Sequence, residues 1–265
     1  MTPADGGGGG APDCRFRLLS YNIQVGIQTS RFRDYVTGGW KHLLPHGQRL
    51  RTLAAIADQV RDYDLVAVQE ADSGSLRTGF ISQTEYLARR AGYAWWGERT
   101  NRRLGRLAQH SIGAMARVAP SRVVPIALPG RVPGRGALQL DFGTGEGRLS
   151  VVILHLALGR QTRRRQLDFV AELIADAPHA VVMGDFNAQH GDAEMRRFFA
   201  RTELVEPIER LNTWPAWRPL RNFDHILTTP ELQIERMDVL SDSQSDHLPI
   251  AVDLTLPEDC HLAVA

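Results

Sequence analysis

Apolar and polar positions along this chain change period repeatedly. Phe16 to Tyr21 reads as a strand and meets polar Asn22 at once. From Gly47 to Arg61 the spacing of Leu50, Leu53, Ala57 and Val60 predicts a helix. DLVAVQ at 64–69 is a short apolar run, a buried strand ending in Glu70. Ser82 and Glu85 form a capping box for a helix through Arg90. Tyr93–Trp96 and Ser111–Val118 read as strands. Ala137–Phe142 and Leu149–Leu154 flank a glycine-rich turn, Gly143 to Gly147, and read as a hairpin. A helix over Thr162–Asp176, a buried strand over Ala180–Met183 and a helix over Asp192–Ala200 follow. Phe223–Leu227 and Ile250–Leu256 close the series as strands. Strands and helices alternate only in places, which favours mixed sheets over a purely parallel one. No repeat or linker interrupts the pattern, so one domain is expected from Cys14 to Leu256. Met1 to Asp13, with five glycines at Gly6–Gly10, reads as a disordered tail, and 257–265 as a C-terminal tail.

Composition narrows this little. With 265 residues, 43% hydrophobic and 23% charged, the chain can close a core without disulfides or a structural metal. Cys14 and Cys260 make no disulfide framework; they could pair if the termini meet, but read rather as free thiols of a reducing compartment. There is no basic start followed by an apolar stretch, hence no expected signal peptide, and no apolar run of membrane-spanning length. A cytoplasmic monomer is the default expectation. The net charge of +1 gives no global basic field for nucleic acid. Of 31 basic residues only Lys41 is lysine, and arginine suits bidentate phosphate contacts. A composition bias accounts for most of them, and Arg163, Arg164 and Arg165 read as a solvated helix face.

The chemistry lies where apolar runs stop. Glu70 closes LVAVQE, His155 closes VVILH, Asp185 and Asn187 follow VVMG, and Asp246 and His247 precede LPIAV. Carboxylates are rarely buried unless paired or bound to metal. One such end means little, but four suggest convergence on one cleft built on rigid strand termini. Hydrolysis of a phosphate ester needs charge neutralisation, an oriented water and a proton for the leaving oxygen. A hard divalent cation with oxygen ligands suits the first task, and histidine suits the proton transfers. Glu70 and Asp246 are suitable ligands. Zn²⁺ is disfavoured, since there is no cysteine cluster and no HExxH helix.

LLSYN at 18–22, LVAVQE at 65–70, LH at 154–155, GDFN at 184–187, FDHIL at 223–227 and SDHLPI at 245–250 occur in this order. Together they resemble the endonuclease/exonuclease/phosphatase superfamily, the DNase I-like fold. The resemblance spans Phe16 to Leu256. It implies a four-layer α/β sandwich, two mixed sheets face to face with helices outside. It also implies Mg²⁺, with Mn²⁺ as a substitute, held by Asn22, Glu70 and Asp246. Asp185 would hold or deprotonate the attacking water, helped by Asn187. His247, oriented by Asp224, would contact the scissile phosphate, and His155 stands at the position of a second histidine. Arg135 is a candidate phosphate contact, and equally a surface arginine of a Gly/Pro-rich loop. Glu98 is a candidate partner of His155, though an exposed glutamate is the commoner fate. His225 reads as a neighbour of the site, and Ile112 stands where the family often has asparagine. The other histidines, His42, His46, His110, His179, His190 and His261, read as surface or packing residues.

Fold does not fix substrate. A phosphodiesterase of small-molecule or lipid head-group diesters is the leading reading, a nuclease of the DNA-repair kind the second, an inactive binding module the third. Gly38–Leu44 and Trp95–Trp96 could offer apolar surface to lipid, although tryptophan usually packs in a core. The loop NTWPAWRPLR at 212–221 leads into Asp224. There Trp217 and Arg218 are candidate substrate contacts, or Trp214 and Trp217 fold back as a structural lid.

Overall fold

The computed structural model describes residues 15–26, 46–104, 108–130, 135–206 and 211–262. Cys14, Gly38–Leu44 with His42, and the expected N-terminal tail lie outside them. Among the described residues the strands are β1 (Arg15–Asn22), β2 (Leu65–Asp72), β3 (Trp95–Leu104), β4 (Ala108–Ala116), β5 (Arg122–Ala127) and β6 (Gly136–Phe142). They continue as β7 (Leu149–His155), β8 (His179–Asp185), β9 (Asp224–Thr228), β10 (Gln233–Val239) and β11 (Ile250–Thr255). The helices are α1 (His46–Val60), α2 (Gln83–Ala91), α3 (Arg160–Leu173) and α4 (Ala193–Phe199).

The strands form a six-stranded sheet, β10-β11-β1-β2-β4-β3, and a five-stranded sheet, β5-β6-β7-β8-β9. Both are mixed: β1–β2 and β7–β8 are parallel, and the other pairs are antiparallel. Strand alternation fills three cores. Leu18, Leu65, Ala67, Val151, Ile153, Val181 and Met183 meet between the sheets. Their neighbours Leu19, Val66 and Val68 face Leu53, Ile56 and Val60 of α1 and Leu87 of α2. Val152, Leu154 and Val182 face Leu167 and Val170 of α3 and Met195 and Phe198 of α4. A strand buried on both faces has no polar side to display, which is why these runs read as continuously apolar. The layers are therefore helix, sheet, sheet, helix.

Several local expectations change. β2 does not stop at Glu70 but runs to Asp72 through a bulge between Val68 and Ala71. β5 and β10 went unseen because Ile126 is the one buried residue between them, and β5 holds Pro125. Ser82 caps α2 by accepting from the Glu85 amide at 3.2 Å. Trp95 packs on the inter-sheet core and Trp96 on the helical side of its sheet, so neither offers an open apolar face. Ile112 is buried between the sheets, and Cys260 lies in the same core. Arg163 is not solvated: it is buried, and its Nη2 lies 2.5 Å from Glu194 Oε1 on α4, while Arg164 and Arg165 are exposed.

Candidate active site

Strand register assembles the polar ends. In the five-stranded sheet Gly136, His155, Asp185 and Asp224 occupy one row across β6, β7, β8 and β9. In the six-stranded sheet Asn22 at the end of β1 lies beside Gln69 of β2. The row and the strand ends meet, with Asn22 Nδ2 donating to Asp185 Oδ2 at 3.1 Å. His155 Nε2 is 3.3 Å from Asp185 Oδ2 and 3.8 Å from Glu70 Oε1. Six sequence-predicted residues, Asn22, Glu70, Arg135, His155, Asp185 and Asp224, are thus linked by direct contact or register, and His247 joins through Asp224.

Local backbone places these groups. Gly184, just before Asp185, has φ +139, and an added Cβ would stand 2.0 Å from the Leu154 carbonyl oxygen. Only glycine lets β8 lie that close to β7. Glu70 at φ 55 and Asn187 at φ 51 are held in the left-handed region, which side chains other than glycine rarely adopt. At Glu70 this is the bulge of β2, which leaves the side chain about a third exposed (32%) in an otherwise buried strand.

Asp185 Oδ1 accepts from the Asn187 amide at 2.9 Å, while Asn187 Nδ2 donates to the Leu156 carbonyl at 3.0 Å. Burial pushes the Asp185 carboxyl up to about 7, with Asp224 and Glu70 adding repulsion against relief from His247. Burial also raises Glu70. His247 Nδ1 donates to Asp224 Oδ2 at 2.8 Å, and Thr213 Oγ1 donates to the same oxygen at 2.6 Å. Burial opposes the His247 imidazolium, yet Asp224, Asp185 and Asp246 outweigh it and raise the group to about 10. His155 goes the other way: burial, Arg135 and His247 hold it well below its ordinary value. Its Nε2 meets the Arg135 guanidinium, which can only donate, so this nitrogen accepts. Arg135 and Asp185 cannot both be served by one nitrogen; the neutral ring agrees with the Arg135 contact, which we take to set the tautomer.

Asp246 stands apart from this row. Its Oδ2 accepts from Trp214 Nε1 at 3.4 Å, and its charge is felt at Glu70. The 212–221 loop is pinned to that segment: Ala216 N donates to the Asp246 carbonyl at 2.7 Å and Leu248 N to the Thr213 carbonyl at 2.9 Å. Trp214 packs on Phe223 with Arg221 over both rings. Trp214, rather than Trp217, is therefore the tryptophan bonded to a site carboxylate. Trp217 is half-buried and Arg218 exposed on the turn closed by Arg218 N and the Pro215 carbonyl. Glu98 is on β3, half-buried, and accepts from Ser82 Oγ at 3.1 Å, so it serves α2 and not His155. His225 is fully buried, with Nδ1 on Glu206 and Nε2 donating to the Ala188 carbonyl at 2.8 Å. Thr213 was missed by sequence reading, since nothing in a lone threonine signals a carboxylate 11 positions away.

The donor set fits a hard divalent cation. Asp224 Oδ1 is buried without a hydrogen-bond partner, and burial makes Asp185 and Glu70 hold their protons more tightly than usual despite relief from His247. Ligand atoms of Asp185, Asp224 and His247 lie within 4.8 Å of one another, although His247 and Asp224 already satisfy each other there. A cleft of about 630 Å³ opens on Glu70, Arg135 and His155 and extends past Arg102, His110 and Arg165.

Solved structures share this arrangement of sheets. A protein of Beutenbergia cavernae described as an endonuclease/exonuclease/phosphatase superposes with TM-score 0.70 at 21% identity, over 95% of this chain and 73% of that one. A mannosyl-6-phosphatase of Bacteroides thetaiotaomicron gives 0.65 at 17% identity, over 90% and 99%. TDP2 of D. rerio, complexed with a single-strand DNA product, gives 0.65 at 18%, over 91% and 99%. At such identities the likeness is one of fold. No curated protein sequence matches the chain. The model of the Endonuclease/Exonuclease/phosphatase family matches residues 19–247, a span holding every residue of the row described above, and the chain belongs to that family.

Proposed function

We propose that the chain is a divalent-metal-dependent hydrolase of phosphate esters, acting as a phosphodiesterase on a small-molecule or lipid head-group diester. The observation that carries this is the convergence of two histidines on one buried carboxylate: His155 Nε2 lies 3.3 Å from Asp185 Oδ2, and ligand atoms of His247, Asp224 and Asp185 lie within 4.8 Å of one another. Such a set can hold a water, accept its proton and stabilise developing charge. Asp185, fixed by Asn22 and the Asn187 amide, orients the attacking water and takes its proton. His247, kept protonated by Asp224, donates to a phosphoryl oxygen, and Arg135 neutralises a second one. His155 accepts from Arg135 and so aims that guanidinium. Glu70, with Asn22 and Asp246, would hold the cation, Mg²⁺ with Mn²⁺ as a substitute. When bound, the cation supplies charge neutralisation at the phosphate and the leaving oxygen.

The test is a panel of phosphomonoesters, phosphodiesters and an oligonucleotide, assayed with Mg²⁺, with Mn²⁺ and with chelator. Metal-dependent turnover of a small diester, abolished in Asp185→Asn, is the expected result. Turnover of the oligonucleotide alone would move the reading to a nuclease. Full activity in chelator would remove the cation from it.

A further inference from the structure

The cleft beside Glu70 and His155 is larger than a single phosphate ester needs. At about 630 Å³ it falls among sites that enclose a whole small molecule, roughly 300–1,000 Å³. Glu70, Arg135 and His155 form one end of it. Two walls extend beyond them. One is the β3–β4 pair, where Arg102 sits directly opposite His110. The other is the start of α3, with Gln161 and Thr162 in its first turn and Arg165 in its second.

These walls have one sign of charge. Among the described residues the lining holds no carboxylate beyond Glu70, whereas it holds Arg102, Arg135 and Arg165. Elsewhere the exposed arginines are commonly paired, as Arg197 and Arg201 are with Asp168. Arg102 and Arg165 are exposed and form no ion pair with any described residue. The start of α3 adds to the same field. Its cap, Gly159, makes no side-chain capping bond, and the first turn has no acidic residue. Gly159, Gln161 and Thr162 line the cleft, so this uncapped helix start borders it, and the free N–H groups of a helix N-terminus favour an anion.

We propose that this part of the cleft is a second anion subsite, and that the substrate carries a further phosphate-like group received between Arg102 and Arg165. This rests on the hydrolase reading and adds the substrate class: a small phosphate ester with a second anionic group away from the ester that is cut. Guanidinium forks meet phosphate oxygens in pairs, so two unpaired arginines across a cleft select for charge and geometry together.

The probes are glucose 1,6-bisphosphate and glucose 6-phosphate, titrated calorimetrically with Mg²⁺ present. The protein carries Asp185→Asn, which holds turnover off. The bisphosphate binds about tenfold or more tightly than the monophosphate, since charge-assisted pairs of this kind are worth about 1.4 kcal/mol or more. Adding Arg102→Gln and Arg165→Gln, both at exposed positions, abolishes that preference and leaves glucose 6-phosphate binding unchanged. Equal binding of the two probes, or a preference that survives both substitutions, overturns the subsite and leaves the hydrolase reading intact. Binding of neither probe also overturns the subsite, and if in addition no ester in the panel is turned over, the hydrolase reading falls with it.

Discussion

Asp185 is a carboxylate kept where a carboxylate is costly. It is buried, faces Asp224 and Glu70, and its proton comes off near pH 7 against an ordinary 3.8. A folded-state value raised in this way means that stability is full below pH 3.8 and is lost as pH rises through about 7. Asp185→Asn keeps the shape without the charge. In chelator it should melt higher than the wild type at pH 8, with the gap closing towards pH 5, while hydrolysis disappears. A melting temperature that is lower at both values would mean that the Asn22 and Asn187 contacts need the anion. The histidines differ in kind. His247→Ala removes a charged donor and His155→Ala a neutral acceptor, and each should lower kcat about 10²–10⁴-fold with the fold retained. Their double variant should lose less than the product, because both act on one transition state. Near-wild-type kcat in His247→Ala would sink the assignment. Sequence alone displayed these residues because each borders an apolar run. It could not display Thr213, whose only mark is the distance to Asp224 after folding.

Between elements, two buried ion pairs fasten the helices and loops that carry the site. Arg163 of α3 reaches Glu194 of α4, and both are buried. Removing one partner leaves the other charge stranded, so Arg163→Ala should cost about 3–5 kcal/mol in chemical denaturation. A loss below about 1 kcal/mol would mean that the pair is no more than a surface bridge. Glu206 bonds both His190 and His225, and His225 holds the Ala188 carbonyl just past Asn187. Burial opposes both charges, yet Glu206 raises His225, and His225 and His190 lower Glu206. The glutamate's contribution is present above its ordinary 4.5 and lost as pH falls, and the histidine's is present below 6.5 and lost as pH rises. The pair therefore contributes most between about 4.5 and 6.5, and His225→Gln should flatten the fall in melting temperature on the alkaline side. An unchanged pH profile would remove the pair as its cause. The sequence hid both devices. Arg163 stands in a run of three arginines, and helical phase alone decides which one turns inward.

For the whole molecule, the legible part was the strands with two buried faces, and the illegible part was the exposed edges. β7 and β8 announce themselves as VVIL and VVM, whereas β5 and β10 hide because pairing along one edge demands little of their side chains. The same logic applies to the site. Its residues stand on strands from both sheets, so their convergence follows from sheet-on-sheet packing that no single motif encodes. It follows that metal response and folding should separate. Glu70 lies on a bulge, is about a third exposed, and makes no contribution to a core cluster. Its charge is opposed by burial and by Asp246 and relieved by His247 and Arg135. Mg²⁺ should raise the melting temperature of the wild type, and by linkage the rise grows with concentration above Kd. Glu70→Gln should abolish that rise and the metal-dependent turnover, yet melt in chelator at or above the wild-type temperature, since a burdened carboxylate becomes neutral. A Glu70→Gln protein that still gains stability from Mg²⁺ would move the cation to Asp185, Asp224 and His247, whose ligand atoms lie within 4.8 Å of one another.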